Sequence, residues 1–339
     1  MLASRFLSAL GIALVFLPSP PMAQSPVATV PGLAAPVKRS QGTSEFANEQ
    51  AILRFMNDYR EAKTPDKVPD AVRAMVRNGV LKDPEKAGVY TGFIAGVLGE
   101  NQIEAPRLIG EMFPMPPIEQ VVLIKAIAYS GLPNWKDIMG QFVERMPARK
   151  VLVEKLLFGD GKTLDKLSMD DPYVIDVHWG YYFATGGWQP AIRIISALVW
   201  ADDEDDIEKL TIGSMAKWTL ASNAARDKNL LDLAKVQMNY QSPEVRKQLR
   251  EVIEAAELYE IGRLRENALK RIENLRAGGP KSARDWTKYG NYGTTALALG
   301  CVVASVLGQV QFGIPCVVGG ALSTAAVKYL GPDGGSAGQ

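Results

Sequence analysis

Between residues 44 and 277, apolar side chains return at every third or fourth position, the period of a helix with one buried face. In SEFANEQAILRFMNDYREA, Phe46, Ile52, Phe55, Met56 and Tyr59 fall near one face, and Ser44 is placed to cap the start. TPDKVPDAVRAMVRNG opens on turn residues and closes at Gly79, as helices often do. The same phrase then recurs: an apolar helix, a short turn with Gly or Asn, another apolar helix. It stands in GFIAGVLGENQIEAPRLIGEMF, VLIKAIAYSGLPNWKDIMGQFV, WGYYFATGGWQPAIRIISALV and AKWTLASNAARDKNLLDLAKV, with turns near Gly99, Gly131, Gly186 and Ala225. No segment alternates apolar and polar residues as a half-buried strand does. The predicted fold is all-α: an irregular, solenoid-like stack of antiparallel helical hairpins, because short turns force neighbouring helices antiparallel.

Residues 242–277 carry the longest helical pattern, capped by Ser242, with Pro243 in the first turn and a stop at Gly278-Gly279-Pro280. Val245, Leu249, Val252, Ala256 and Tyr259 follow heptad-like steps; the phase slips near Ile261-Gly262 and resumes through Leu264, Ala268, Ile272 and Leu275. This predicts one long helix that closes the stack or forms a stalk. Residues 281–330 predict an apolar, glycine-rich helical hairpin, followed by a disordered tail over 331–339. No charge occurs from 293 to 327, and Ala296, Gly300, Ala304 and Gly308 form a ridge of small residues. Gly313 and Pro315 break this stretch into pieces shorter than the roughly 20 residues a membrane span needs. A compact hairpin and a membrane-inserted one therefore compete. A hairpin tip near Gly308-Gln309 would set Cys301 and Cys316 at matching heights, as a disulfide requires; a tip at Gly313–Pro315 would not.

The N-terminus bears on compartment. Residues 1–23 have one basic residue, Arg5, an apolar run from Phe6 to Leu17, then small residues before a cleavage position after Ala23. That is the order of a secretory signal peptide. Residues 24–43, rich in Pro, Ser and small side chains, predict a flexible leader. The expected location is periplasmic or secreted, with membrane association through 293–327 as the variant. In an oxidising compartment a pair of cysteines favours a disulfide. The 339 residues carry 38 Lys and Arg against 37 Asp and Glu, so no basic excess points to a nucleic-acid partner.

Candidate chemistry centres on HWGYYFATGG, which holds the only histidine, His178. Pro172 suits a first helical turn after Asp170 or Asp171, and Gly186-Gly187 suits its end. A functional reading makes His178 a general base oriented by Asp171 or Asp176, with Trp179 and Tyr182 nearby. The alternative is a histidine inside a helix interface, which the lack of a second His or a nucleophile motif favours. The five acids at 202–206 lack the spacing of a calcium loop and suit a first helical turn. In LFGDGKTLDKL, Gly159 stands too close to Gly161-Lys162 for a phosphate loop, and the segment before it reads as helix. No cofactor or metal is expected.

Tyr182, Gly186, Ala191 and Ile195 sit at spacings that resemble a tetratricopeptide repeat, in which small residues let two helices cross closely. WGYYFATG and AKWTLASNAARD are similar to phrases in secreted bacterial proteins of no assigned function. These resemblances imply a helical-repeat fold and an exported location, not an activity. The leading expectation is a binding or scaffold protein of the cell envelope with a protein partner. Trp135, Trp179, Trp188 and Trp218 could line its surface, although core positions suit most of them. A membrane-anchored protein is the alternative, and a hydrolase centred on His178 the second.

Overall fold

A computed structural model describes residues 45–159, 161–259 and 261–277. Among the described residues there are thirteen α-helices and no strands. They are α1 (Glu49–Asp58), α2 (Val68–Arg77), α3 (Gly88–Glu100), α4 (Ala105–Met112), α5 (Gln120–Tyr129), α6 (Trp135–Phe142) and α7 (Lys150–Phe158). There follow α8 (Pro172–Thr185), α9 (Trp188–Ser196), α10 (Ile207–Ala224), α11 (Lys228–Gln237), α12 (Pro243–Glu257) and α13 (Ile261–Ala277). The fold is all-α, as the periodicity predicts.

Local chemistry sets many of the helix ends. Asp171 accepts the Tyr173 amide at 2.8 Å, and Pro172 opens α8 at a position that needs no amide proton. Gly186 ends α8 in the left-handed conformation, φ 70° and ψ 8°. Gly79, at φ 74°, stops α2 in the same way. Ser242 caps α12 with Pro243 behind it. The cap of α1 is Asn48, which accepts the Ala51 amide at 2.9 Å, and not Ser44, which lies outside the described residues.

Helices adjacent in sequence pack together, as in α1–α2, α5–α6, α8–α9, α10–α11 and α11–α12. The most extensive helix contact, however, joins α3 to α8, which are far apart in sequence. In a one-dimensional stack each hairpin meets only its neighbours; the α3–α8 pair instead makes a central axis. Both helices are mostly apolar and enclosed on nearly every side, as helices at the centre of a fold are, and Val89, Phe93, Ile94, Val97, Val177, Trp179 and Phe183 are all buried. Burial of each large side chain contributes roughly 1.5–3 kcal/mol.

The α3–α8 crossing depends on glycine. A Cβ at Gly92 would lie 1.9 Å from Val177 O, and one at Gly180 would lie 2.0 Å from Val89 O. Gly88 and Gly96 extend the same ridge against Tyr173 O and the Ala184 Cβ, each 2.7 Å from where their own Cβ would stand. Gly99, expected near a turn, lies inside α3, where a Cβ would meet Ser130 O at 2.3 Å. The turn follows at Asn101 instead.

The expected single helix over 242–277 is corrected. It divides into α12 and α13, and Tyr259 between them takes a left-handed φ of 56°. The phase slip near Ile261-Gly262 marks this place: a straight helix would carry the second apolar stripe off the core, and a break restores it. α13 then packs on α10 with Leu264 and Ile272 buried. The expected signal peptide and leader, the expected 281–330 hairpin and tail, and Cys301 and Cys316 lie outside the described residues. No helix among the described residues is long and apolar enough to cross a membrane.

Candidate functional site

The structure does not bring His178, Asp176, Trp179 and Tyr182 into one site. His178 and Asp176 are two residues apart on α8, so they point to opposite sides of the helix. Asp176 faces α3, its Cβ 2.8 Å from where a Gly88 Cβ would stand. It is fully buried, and neither carboxyl oxygen has a hydrogen-bond partner among the described residues. Burial, with the neighbouring Asp171 charge adding, pushes its pKa well above the usual carboxylate range, which makes it a neutral acid in the core. His178 is 3% exposed, and neither ring nitrogen has a partner among the described residues. Burial first, and the Arg193 charge second, lower its pKa to about 4. Asp171, the other expected orienting partner, caps α8.

The two aromatic candidates hold helices together. Trp179 donates from Nε1 to Thr219 Oγ1 at 3.0 Å, which joins α8 to α10. Tyr182 donates to Asp227 Oδ2 at 2.5 Å, and Arg60 reaches the same carboxylate at 2.6 Å. The Arg60 guanidinium also lies 5.1 Å from the centre of the Tyr182 ring. Asp227 caps α11 as well, so this cluster ties α1, α8 and α11. Of the four candidate surface tryptophans, Trp135, Trp179 and Trp218 are buried, and Trp188 is exposed.

The acidic run at 202–206 organises the entry to α10. Asp203 accepts the Asp205 and Asp206 amides, and Asp206 accepts those of Glu208 and Lys209. Asp202 turns the other way and opens onto a polar cleft of about 310 Å³. The floor of the cleft is Ser214 and Lys217 of α10. Glu251 of α12 forms one wall, Leu264, Asn267, Ala268, Lys270 and Arg271 of α13 form the other, and Ala201-Asp202 close an end.

The charges in this cleft do two different things. Asp202 accepts from Lys247 at 2.6 Å and from Gln248 and Arg271, so both of its oxygens are engaged. Burial raises its pKa, but the hydrogen bonds from Lys247 and Arg271 outweigh that and hold it at about 2. Arg271 also donates to Ala201 O at 3.0 Å and clasps α13 to the turn. Deeper in, Lys217 bonds Gln248 Oε1 at 2.8 Å and Glu251 Oε2 at 2.7 Å. The Lys217 side chain is 13% exposed against 42% for Glu251, so the ammonium is largely withdrawn from water while its carboxylate partner is reachable. Ser214 is 6% exposed and lines the cleft.

These residues escape a reading by motif, because they are spread over seventy positions and each suits a solvated helix face. One signal was present: Lys217 is the only charged residue between Leu210 and Ala225. An isolated lysine in a long uncharged stretch of helix must find a partner or reach a cleft. No group of three or more His, Cys, Asp or Glu side chains among the described residues could hold a metal ion. No protein-family model, curated protein or solved structure matches the chain.

Proposed function

We propose that the chain is a small-molecule-binding protein of the cell envelope, exported by residues 1–23, and not a hydrolase centred on His178. The observation that carries the binding reading is the cleft of α10, α12 and α13, lined by the Ser214 hydroxyl and by the withdrawn Lys217 ammonium paired with Glu251. Against a hydrolase stands the burial of His178, whose ring meets neither solvent nor an orienting carboxylate. Export rests on the basic, apolar and small-residue order of residues 1–23.

The test uses pooled amino acids, dicarboxylates, monosaccharides and nucleosides in thermal-shift assays on the full chain. Two variants, Ser214→Phe and Ala268→Phe, fill the cleft from different helices. A pool that raises the melting temperature of the wild type and of neither folded variant supports the reading. Equal shifts in all three proteins, or none in any, overturn it. The mass of the exported protein tests the leader: loss of residues 1–23 is the expected result.

A further inference from the structure

We propose that the cleft between α10, α12 and α13 binds a free α-amino acid with an uncharged side chain. The carboxylate would sit on Lys217 and Ser214, and the ammonium on Glu251. This inference rests on the binding reading above and names the ligand class.

The argument starts from the ion pair that stands in the cleft. Lys217 and Glu251 are 2.7 Å apart, and each is the other's counter-charge. A ligand of a single charge would break this pair and leave one partner uncompensated, at a cost that grows with burial. A carboxylate on Lys217 would strand Glu251, and an amine on Glu251 would strand the less exposed Lys217. A zwitterion can enter between them and complete both charges. The separation of ammonium and carboxylate in an α-amino acid is short, which suits insertion into one ion pair.

The remaining groups narrow the class. Ser214 adds a hydroxyl donor on the Lys217 side, from the same helix. Asp202 is left out of the ligand contacts, because Lys247, Gln248 and Arg271 already engage both its oxygens and balance its charge. On the opposite wall Leu264 and Ala268 are apolar, and the charges of Lys270 and Arg271 are already met by Glu266 and by Asp202 with Glu204, so a ligand side chain finds no uncompensated charge there. The volume of about 310 Å³ lies at the low end of the roughly 300–1,000 Å³ of small-molecule sites and selects a small ligand.

Isothermal titration of the full chain with the standard amino acids tests the class. For the tightest binder, the deaminated acid and the decarboxylated amine are titrated in parallel. The expected result is saturable binding of at least one amino acid with an uncharged side chain, and binding of its acid and amine at least about tenfold weaker. Glu251→Gln should weaken the amino acid by about tenfold and tighten the acid, because no carboxylate is then stranded when the acid takes Lys217. An acid or amine that binds as tightly as the zwitterion overturns the class, as does tightest binding of a charged-side-chain amino acid or no binding by any amino acid. A loss in Glu251→Gln that is equal for amino acid and acid overturns the assignment of the ammonium to Glu251. Failure of the class is separable from failure of the binding reading, because a shift caused by sugars, nucleosides or dicarboxylates and abolished by the cleft-filling variants would keep the latter.

Discussion

Gly92 of α3 and Gly180 of α8 are the two sides of one backbone crossing. Each stands where a Cβ would fall about 2 Å from a carbonyl oxygen of the other helix, Val177 O and Val89 O respectively. No side-chain adjustment relieves such a contact, because the obstacle is main chain. Gly92→Ala and Gly180→Ala should each force the helices apart and cost about 3 kcal/mol or more. Gly140, exposed in α6, has nothing within 4 Å of its missing Cβ. Gly140→Ala should therefore gain about 0.8 kcal/mol from helix propensity alone. Urea unfolding of the three variants checks both signs.

His178 and Asp176 should give α8 two opposed pH dependences. The unfolded imidazole takes up a proton below 6.5, while the folded one stays neutral to about 4. The stability due to His178 is thus complete above pH 6.5 and drains as the pH falls to about 4, at about 1.4 kcal/mol per pH unit. Asp176 has the reverse sign. Its folded pKa is raised, so its stability is complete below 3.8 and is lost as the pH rises above that value. His178→Gln should remove the loss on the acid side. Asp176→Asn should become progressively more stable than the wild type as the pH rises. Unfolding free energies across the pH range read both slopes directly.

The bond from Trp179 to Thr219 predicts a side-chain-specific loss. Thr219→Val keeps shape but removes the acceptor 3.0 Å from a fully buried indole N–H. The cost should be about 1–3 kcal/mol, the penalty of an unsatisfied buried donor. Thr219→Ser keeps the oxygen and should recover most of it. Melting temperatures of the pair settle which atom matters.

Tyr259 carries backbone strain where glycine would not. Its φ is 56° and its side chain is 75% exposed, so little packing is lost on its removal. Tyr259→Gly should stabilise the protein by about 0.5–1 kcal/mol, the left-handed penalty less the added freedom of the unfolded glycine. Tyr259→Val should destabilise it by about 1 kcal/mol. The urea midpoint reports both.

Features that depend only on neighbours in the chain are legible in the residues themselves. Pro172 and Ser242 announce starts, Gly79 and Gly186 announce stops, and the apolar period makes the described residues all-α, because caps and left-handed glycines act within one turn. The slip at Ile261-Gly262 was visible too, but only the left-handed Tyr259 turns it into a break between α12 and α13. Tertiary structure alone decided the rest. The α3–α8 pairing leaves no amphipathic phase to read, since both helices are enclosed on nearly every side, and its glycines look like ordinary helix weaknesses until the partner backbone is in place. Asp176 and His178 read as a possible catalytic couple, yet the helix turns them to opposite sides. Ser214, Lys217, Glu251 and Arg271 meet only after α13 folds back on α10, because a cleft is a property of surfaces brought together and not of any local run of residues.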